Sequence, residues 1–146
     1  RKDFIVDPWQ IKESRSLGAD CILLIMAALN IEDAILLEKE AMDLGMDVLI
    51  ETHTKEEVKM ANKLTSKLVG VNNRNLKTME VDINNTLKLK NFIDPEKILI
   101  AESGLKTHLD LQWFKENGII NFLIGESLMK EKDLTLATKK ILGIEN

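Results

Sequence analysis

The chain has 146 residues, of which 45% are hydrophobic and 30% charged, the ordinary make-up of one soluble globular domain. A net charge of −4 argues against a nucleic-acid partner, because phosphate backbones are gripped by clustered lysine and arginine. No apolar run approaches the roughly 20 residues of a membrane span, so no membrane partner is expected. No leader-like segment is visible, and the single cysteine, Cys21, reads as a small buried hydrophobe in a reducing compartment. The expected location is the cytoplasm.

In chain order, a stub at residues 1–4 precedes five short apolar runs, at 21–26, 48–50, 68–71, 98–101 and 122–124. Each is continuous rather than alternating, as expected of strands covered on both faces. Helix signals fill the intervals. Asp7 followed by Pro8 opens one helix and Gly18 closes it; Asn30, with Glu32 and Asp33 in the first turn, opens another that Gly45 closes. Thr54 with Glu57 has the pattern of a capping box, and Thr107 with Asp110 a related one ahead of Gly118. In that last helix His108 reads as surface, and Trp113 and Phe114 as packing against the sheet. Strand–helix repetition of this kind means a parallel sheet with right-handed crossovers. No linker or domain boundary interrupts it. An open doubly wound sheet and a closed barrel both satisfy the pattern. The absence of a glycine-rich dinucleotide fingerprint weakens the nucleotide-binding form of the first.

The residues at the end of each run carry the chemistry. Ile50 leads into Glu51, Val71 into Asn72, Ala101 into Glu102 and Ile124 into Gly125. In a parallel sheet these positions share the carboxyl edge, where ligands bind in barrels and open sheets alike. Two carboxylates and an amide delivered there from separate strands resemble an active site; the plain alternative is that polar residues merely end strands. Glu102-Ser103-Gly104 and Ile124-Gly125-Glu126-Ser127 place small residues directly after strands. Glycine lets the backbone approach an oxyanion, and a short helix at 126–130 would point its N–H groups at one. Barrels often bind phosphate after their last two strands. Glu126 is itself an anion, so its side chain is expected to point away.

Lys2-Asp3-Phe4, Asp7-Pro8-Trp9-Gln10, Leu23-Leu24-Ile25, Glu51, Gly70-Val71-Asn72-Asn73-Arg74-Asn75-Leu76, Ala101-Glu102-Ser103-Gly104 and Ile124-Gly125-Glu126-Ser127-Leu128-Met129 stand in one order. They resemble the indole-3-glycerol phosphate synthase family over essentially the whole chain. The resemblance implies an α/β protein, a parallel (β/α)8 TIM barrel. Only about the last five to six β/α units would be present. They would form a single domain over residues 1–146 that starts near the end of the third barrel strand. It implies a carboxy-lyase of tryptophan biosynthesis that closes the ring of 1-(2-carboxyphenylamino)-1-deoxyribulose 5-phosphate, losing carbon dioxide and water.

By the same resemblance, the catalytic residues are Lys2, Glu51, Asn72 and Glu102. Lys2 would be the general acid on the substrate carbonyl, and Glu51 the acid/base of later proton transfers. Asn72, Arg74 and Glu102 would orient the substrate, Phe4 and Leu23 would line the apolar pocket around its ring, and Ser103, Gly104, Gly125 and Glu126 would hold its phosphate. Ser103 would touch substrate as well. No cofactor and no metal are implied. The expected partner is the phosphorylated small molecule, with association with other tryptophan-pathway enzymes or with a second copy left open.

Some features depart from the family or stand outside its roles. A Pro-Ser-Lys-Gly-type segment that carries a further lysine and glutamate in the family does not occur, so this chain alone is expected to be inactive, with the Lys2 ammonium swinging freely. Trp9 replaces a more usual tyrosine and Asn75 a more usual aspartate; neither reads as catalytic. His53, just past Glu51, reads as a structural loop histidine. Two alternatives stay open: a related phosphate barrel of the phosphoribosylanthranilate isomerase type, which Asn72-Asn73-Arg74 disfavours, and an inactive half-barrel that binds phosphate or self-associates through its open edges.

Overall fold

The computed structural model of the chain describes residues 1–144. The five apolar runs form one sheet of strands β1 (Cys21–Ile25), β2 (Asp47–Thr52), β3 (Leu68–Asn72), β4 (Ile98–Glu102) and β5 (Asn121–Leu123). All neighbouring pairs are parallel, and the spatial order is the chain order. That order decides between the two candidate architectures. A doubly wound sheet reverses its strand order at a switch point. Here every crossover steps the same way, and right-handed crossovers then put every helix on one face. The fold is a partial TIM barrel.

Helices α1 (Pro8–Ser16), α2 (Ile31–Asp43), α3 (Lys55–Ala61), α4 (Asn84–Lys90), α5 (His108–Glu116), α6 (Glu126–Met129) and α7 (Leu134–Leu142) complete the chain. Side chains on a strand alternate between faces. Ile22, Leu24, Val48, Ile50 and Val69 pack on one face with Ile11, Leu37, Ala41 and Ala61 of the helices. Val71 joins Val58 and Leu89, while Ala101 and Phe122 join Leu111 and Phe114. The opposite residues, Leu23, Ile25 and Leu49 with Cys21, Leu68, Ile100 and Leu123, cluster only with one another. Helices therefore cover one face, not both, and the runs read as continuous because the inner face is itself apolar below its rim.

Capping matches the expected signals with one change. The Asp7 carboxylate accepts from the backbone N–H of Trp9 while Gln10 returns to the backbone of Asp7, and Thr107 with Asp110 makes the same reciprocal pair. Thr54 caps Glu57, but the Glu57 carboxylate turns to the backbone N–H of His53, 2.7 Å away, instead of closing a box. Buried Glu38 of α2 takes the N–H groups of Thr65 and Ser66 at 2.9 and 2.7 Å, pinning the entry to β3.

Strand ends also differ from expectation. Met26 leaves β1 for a short 3-10 turn, β5 starts one residue early, and Glu51, Asn72 and Glu102 lie on the strands, not after them. Residues 1–4 form no strand, yet Arg1 makes parallel-type bonds to β1: its amino terminus donates to Cys21 O at 2.7 Å, and Leu23 N donates to Arg1 O at 3.0 Å. His108 is half-buried rather than on the surface, with Nδ1 3.1 Å from the carbonyl of Ile141 on α7.

Phe114 is fully buried and meets the rings of Trp113 and Phe122 at centroid distances of 5.0 and 6.0 Å. Phe114→Ala is expected to cost about 3–5 kcal/mol. Trp9, 64% exposed, should cost under about 0.5 kcal/mol on the same change. Chemical denaturation compares the two, and equal losses would contradict the helix-side core.

Candidate active site

The polar cluster is built from the last inward position of each central strand. Glu51 on β2 stands level with Ile25 and Gly70, and Asn72 on β3 level with Glu102 on β4. Glu51, Asn72 and Glu102 are 1%, 6% and 1% exposed, the burial of core residues. Asn72 Nδ2 donates to Glu51 Oε1 at 3.0 Å, and Lys2 Nζ donates to Glu51 Oε2 at 3.2 Å. The Lys2 side chain is 60% exposed but does not swing freely, because its neighbour Arg1 is tied to β1 and its ammonium is held by Glu51.

Glu102 needs room as well as a strand end. A Cβ on Gly70 would lie 1.8 Å from Glu102 Oε1, so the carboxyl lies across the bare backbone of β3. Neither carboxyl oxygen finds a hydrogen-bond partner among the described residues. An unpartnered buried carboxyl favours its neutral form. Burial, reinforced by the neighbouring charge of Glu51, pushes the Glu102 pKa up, to about 8. Burial pushes Glu51 the same way, but contacts with His53, Asn72 and Lys2 outweigh it and bring Glu51 well below the usual range. Two neighbouring carboxyls are thus driven apart, one to the anion and one to the acid, the pattern that separates acid from base in active sites.

His53 belongs to this cluster. Its Nε2 lies 3.3 Å from Glu51 Oε1, and its Nδ1 3.2 Å from Glu57 Oε2. The sequence signal for it is the strand period, since residues i and i+2 share a face. By the same rule Gly70 shares its face with Asn72. Asn73, 2% exposed, is a further buried polar residue that the strand-end pattern does not single out. Its Nδ2 donates to Ser103 O at 3.1 Å and its Oδ1 receives Thr86 Oγ1 at 2.8 Å, joining three segments.

The ends of β4 and β5 lie side by side. Ser103 and Gly104 take left-handed φ values of 64° and 81°, and a Cβ on Gly104 would come 2.7 Å from Val81. Gly125 caps α6 with no side-chain bond and opens onto free space. α6 ends at Met129, one residue short of expectation. The Glu126 carboxylate reaches Arg74 Nη2 at 2.5 Å and Lys130 Nζ at 2.6 Å. Arg74 is therefore ion-paired in this structure. Leu23 is 3% exposed in the inner apolar cluster, whereas Phe4 is 57% exposed and Ile5 takes the buried place beside it. Among the described residues no group of three or more His, Cys, Asp or Glu side chains is placed to hold a metal ion.

The family model described as indole-3-glycerol phosphate synthase matches residues 1–141. The chain belongs to this family. The indole-3-glycerol phosphate synthase of Azospirillum brasilense is 51% identical over 143 residues, covering 98% of this chain and 55% of that protein. That of Acinetobacter baylyi is 45% identical over 145 residues, covering 99% and 54%. The chain thus spans about half the length of the curated relatives it matches. Among solved structures, 3-hexulose-6-phosphate synthase from Salmonella typhimurium superposes with a TM-score of 0.77 at 11% identity, over 96% of this chain and 69% of that one. A mandelate oxidase variant carrying an FMN adduct gives 0.68 at 12% identity, over 98% and 52%. At such identities the likeness shows the barrel fold alone.

The split pair of this synthase-family site makes stability depend on pH. Glu102 has a raised folded pKa, so its contribution is complete below the unfolded value of about 4.5 and is lost as pH climbs through about 8. Glu51 works in the opposite sense, losing its contribution only as pH falls below about 4.5. Glu102→Gln should therefore gain stability relative to the parent between about pH 5 and 8. Urea unfolding at the two ends of that window reads the difference; identical pH slopes would show that Glu102 is not held neutral.

Proposed function

We propose that the protein carrying this chain is an indole-3-glycerol phosphate synthase, converting 1-(2-carboxyphenylamino)-1-deoxyribulose 5-phosphate into indole-3-glycerol phosphate, carbon dioxide and water. The observation that carries the reading is the Lys2–Glu51–Asn72 hydrogen-bonded chain beside the buried, unpartnered Glu102 carboxyl, all at one strand edge. Family membership supports the reaction class, a carboxy-lyase of tryptophan biosynthesis. Because the chain spans about half of its relatives, the activity is assigned to the whole protein, and the chain alone is expected to be inactive.

Ring closure joins the aromatic carbon that bears the carboxylate to the ketone carbon of the sugar. The ketone oxygen gains a proton as that bond forms, and carbon dioxide leaves the same ring carbon. The new hydroxyl takes a second proton and departs as water, while the adjacent nitrogen-bearing methylene carbon gives up a proton to form the ring double bond. Lys2, mostly open to solvent and steered by Glu51, is suited to donate the first proton. Glu51, ionised between donors, is suited to take and return the later ones. Neutral Glu102 is suited to donate a hydrogen bond to a substrate hydroxyl, and Asn72 to hold the geometry. Arg74 presents a planar fork suited to the substrate carboxylate, for which it would exchange its pair with Glu126. Leu23 offers apolar floor for the aromatic ring, and Phe4 a wall open to solvent.

Phosphate fits the backbone N–H groups after Ser103 and Gly125. The first N–H groups of a helix have no partner within it, and Gly125, where a Cβ would meet nothing within 4 Å, leaves the approach open to an oxyanion. In this reading Glu126 contributes its main chain only, its carboxylate being engaged elsewhere. No helix among the described residues is long and apolar enough to cross a membrane, and a cytoplasmic setting with a small phosphorylated substrate fits the family.

A fluorescence assay for indole-3-glycerol phosphate tests the catalytic roles. In the full-length protein Lys2→Ala and Glu51→Gln should each lower kcat/KM by about 10²–10⁴-fold. An unimpaired Lys2→Ala variant would remove Lys2 from the mechanism. Inorganic phosphate added to labelled protein should move the amide signals of Gly104 and Glu126 most. Shifts spread evenly along the chain would dissolve the proposed phosphate site.

A further inference from the structure

We propose that His53 is a positioning residue for Glu51: its ring, clamped by Glu57, keeps the Glu51 carboxylate as the anion of the Glu51–Glu102 pair and fixes it between Lys2 and Asn72. The inference rests on the reading of Glu51 as the acid/base of the ring closure.

Backbone geometry sets up the contact. The end of β2 places His53 on the same face as Glu51, and the turn into α3 brings Glu57 back beneath it. Glu57 Oε2 receives the His53 main-chain N–H at 2.7 Å and meets the ring Nδ1 at 3.2 Å, so one oxygen fixes both backbone and ring. From the other side Asn85 Nδ2 of α4 donates to the carbonyls of His53 and Asn72 at 3.2 and 3.3 Å, locking the ends of β2 and β3 together. The ring is 10% exposed, and its Nε2 faces Glu51 Oε1 at 3.3 Å.

Both ring nitrogens thus lie within 3.3 Å of carboxylate oxygens, Nδ1 in hydrogen-bond geometry with Glu57 and Nε2 in an ion-pair contact with Glu51 that makes no hydrogen bond. Ionised carboxylates accept hydrogen bonds and donate none. A neutral imidazole offers one N–H and one lone pair, and would set that lone pair against an anion. Only the imidazolium serves both sides. Burial opposes the charge, but Glu51 and Glu57 outweigh it and lift the His53 pKa to about 9. The groups facing the ring cluster are Glu51 on β2, Glu57 on α3, Lys2 on the amino-terminal segment and Glu102 on β4.

The consequence is a broken symmetry. Glu51 and Glu102 are equally buried and would compete for one proton. A positive charge in contact with Glu51, and acting on Glu102 only as a weaker attraction without contact, favours Glu51 as the one that stays ionised. Lys2 cannot do this alone, because its side chain is mostly in water, where its attraction is screened.

The test uses full-length protein and reads Glu51 directly, by carbon-detected NMR titration of its carboxyl. In His53→Gln the Glu51 pKa should rise by at least about one pH unit, which is a tenfold change in its ionisation equilibrium. Glu57→Gln, which leaves the ring in place, should move it in the same direction by less. Thr54→Ala, which removes the α3 cap alone, should lower the melting temperature and leave the titration untouched. The acid limb of kcat/KM should move with the Glu51 titration. Nitrogen NMR of the parent at neutral pH should show His53 protonated at both ring nitrogens. A Glu51 titration unmoved in a folded His53→Gln variant, or a neutral His53, overturns the proposal. A parent protein without turnover would instead overturn the catalytic reading, while the titrations would still decide the role of His53.

Discussion

Everything at the rim depends on helices packing against one face of a parallel sheet. Each strand residue takes one of two faces, and the helix side is apolar along most of its length: Ile22, Leu24, Val48, Ile50, Val69 and Val71 are all 1% exposed or less, and the hydroxyl of the buried polar Thr52 donates to Gly70 O. The other face is released from helix packing. Its lower part closes with Leu23 and Leu49, and its upper part carries Glu51, level with Ile25, together with Asn72 and Glu102. The same alternation that builds the core therefore aims three polar side chains at one place.

Buried charge is costly unless it is paired, and this site meets the cost by dividing roles between like groups. Glu51 is surrounded by donors and carries the charge; Glu102 has none and gives its charge up. The arrangement relies on small structural permissions. Gly70 has ordinary backbone angles and is glycine for space, because any side chain would occupy the place of the Glu102 carboxyl. Gly104 is glycine for both reasons, its left-handed backbone and the side chain of Val81 pressed against it.

Much of this was legible in the sequence. The five runs, the parallel sheet and the gathering of Glu51, Asn72 and Glu102 at one edge all stem from apolar segments that end in polar residues. His53 and Gly70 were legible in principle, through the two-residue period, but a histidine and a glycine carry no sign of what lies opposite them. The ion pair between Arg74 and Glu126 was not legible at all. It joins residues 52 apart in the chain, and only the convergence of two loops brings them together.

By itself the sequence determined the periodicity, the caps and the chemistry available at each strand end, because these depend on neighbours within a few residues. It also carried the family, because the motifs keep their order and spacing. Tertiary structure decided which face was covered, how Lys2 was held, and which of two buried glutamates is ionised. Those outcomes depend on distances across strands: Lys2 to Glu51 at 3.2 Å, Asn72 to Glu51 at 3.0 Å and His53 to Glu51 at 3.3 Å. Ionisation is set by distance and burial, and neither exists until the chain has folded.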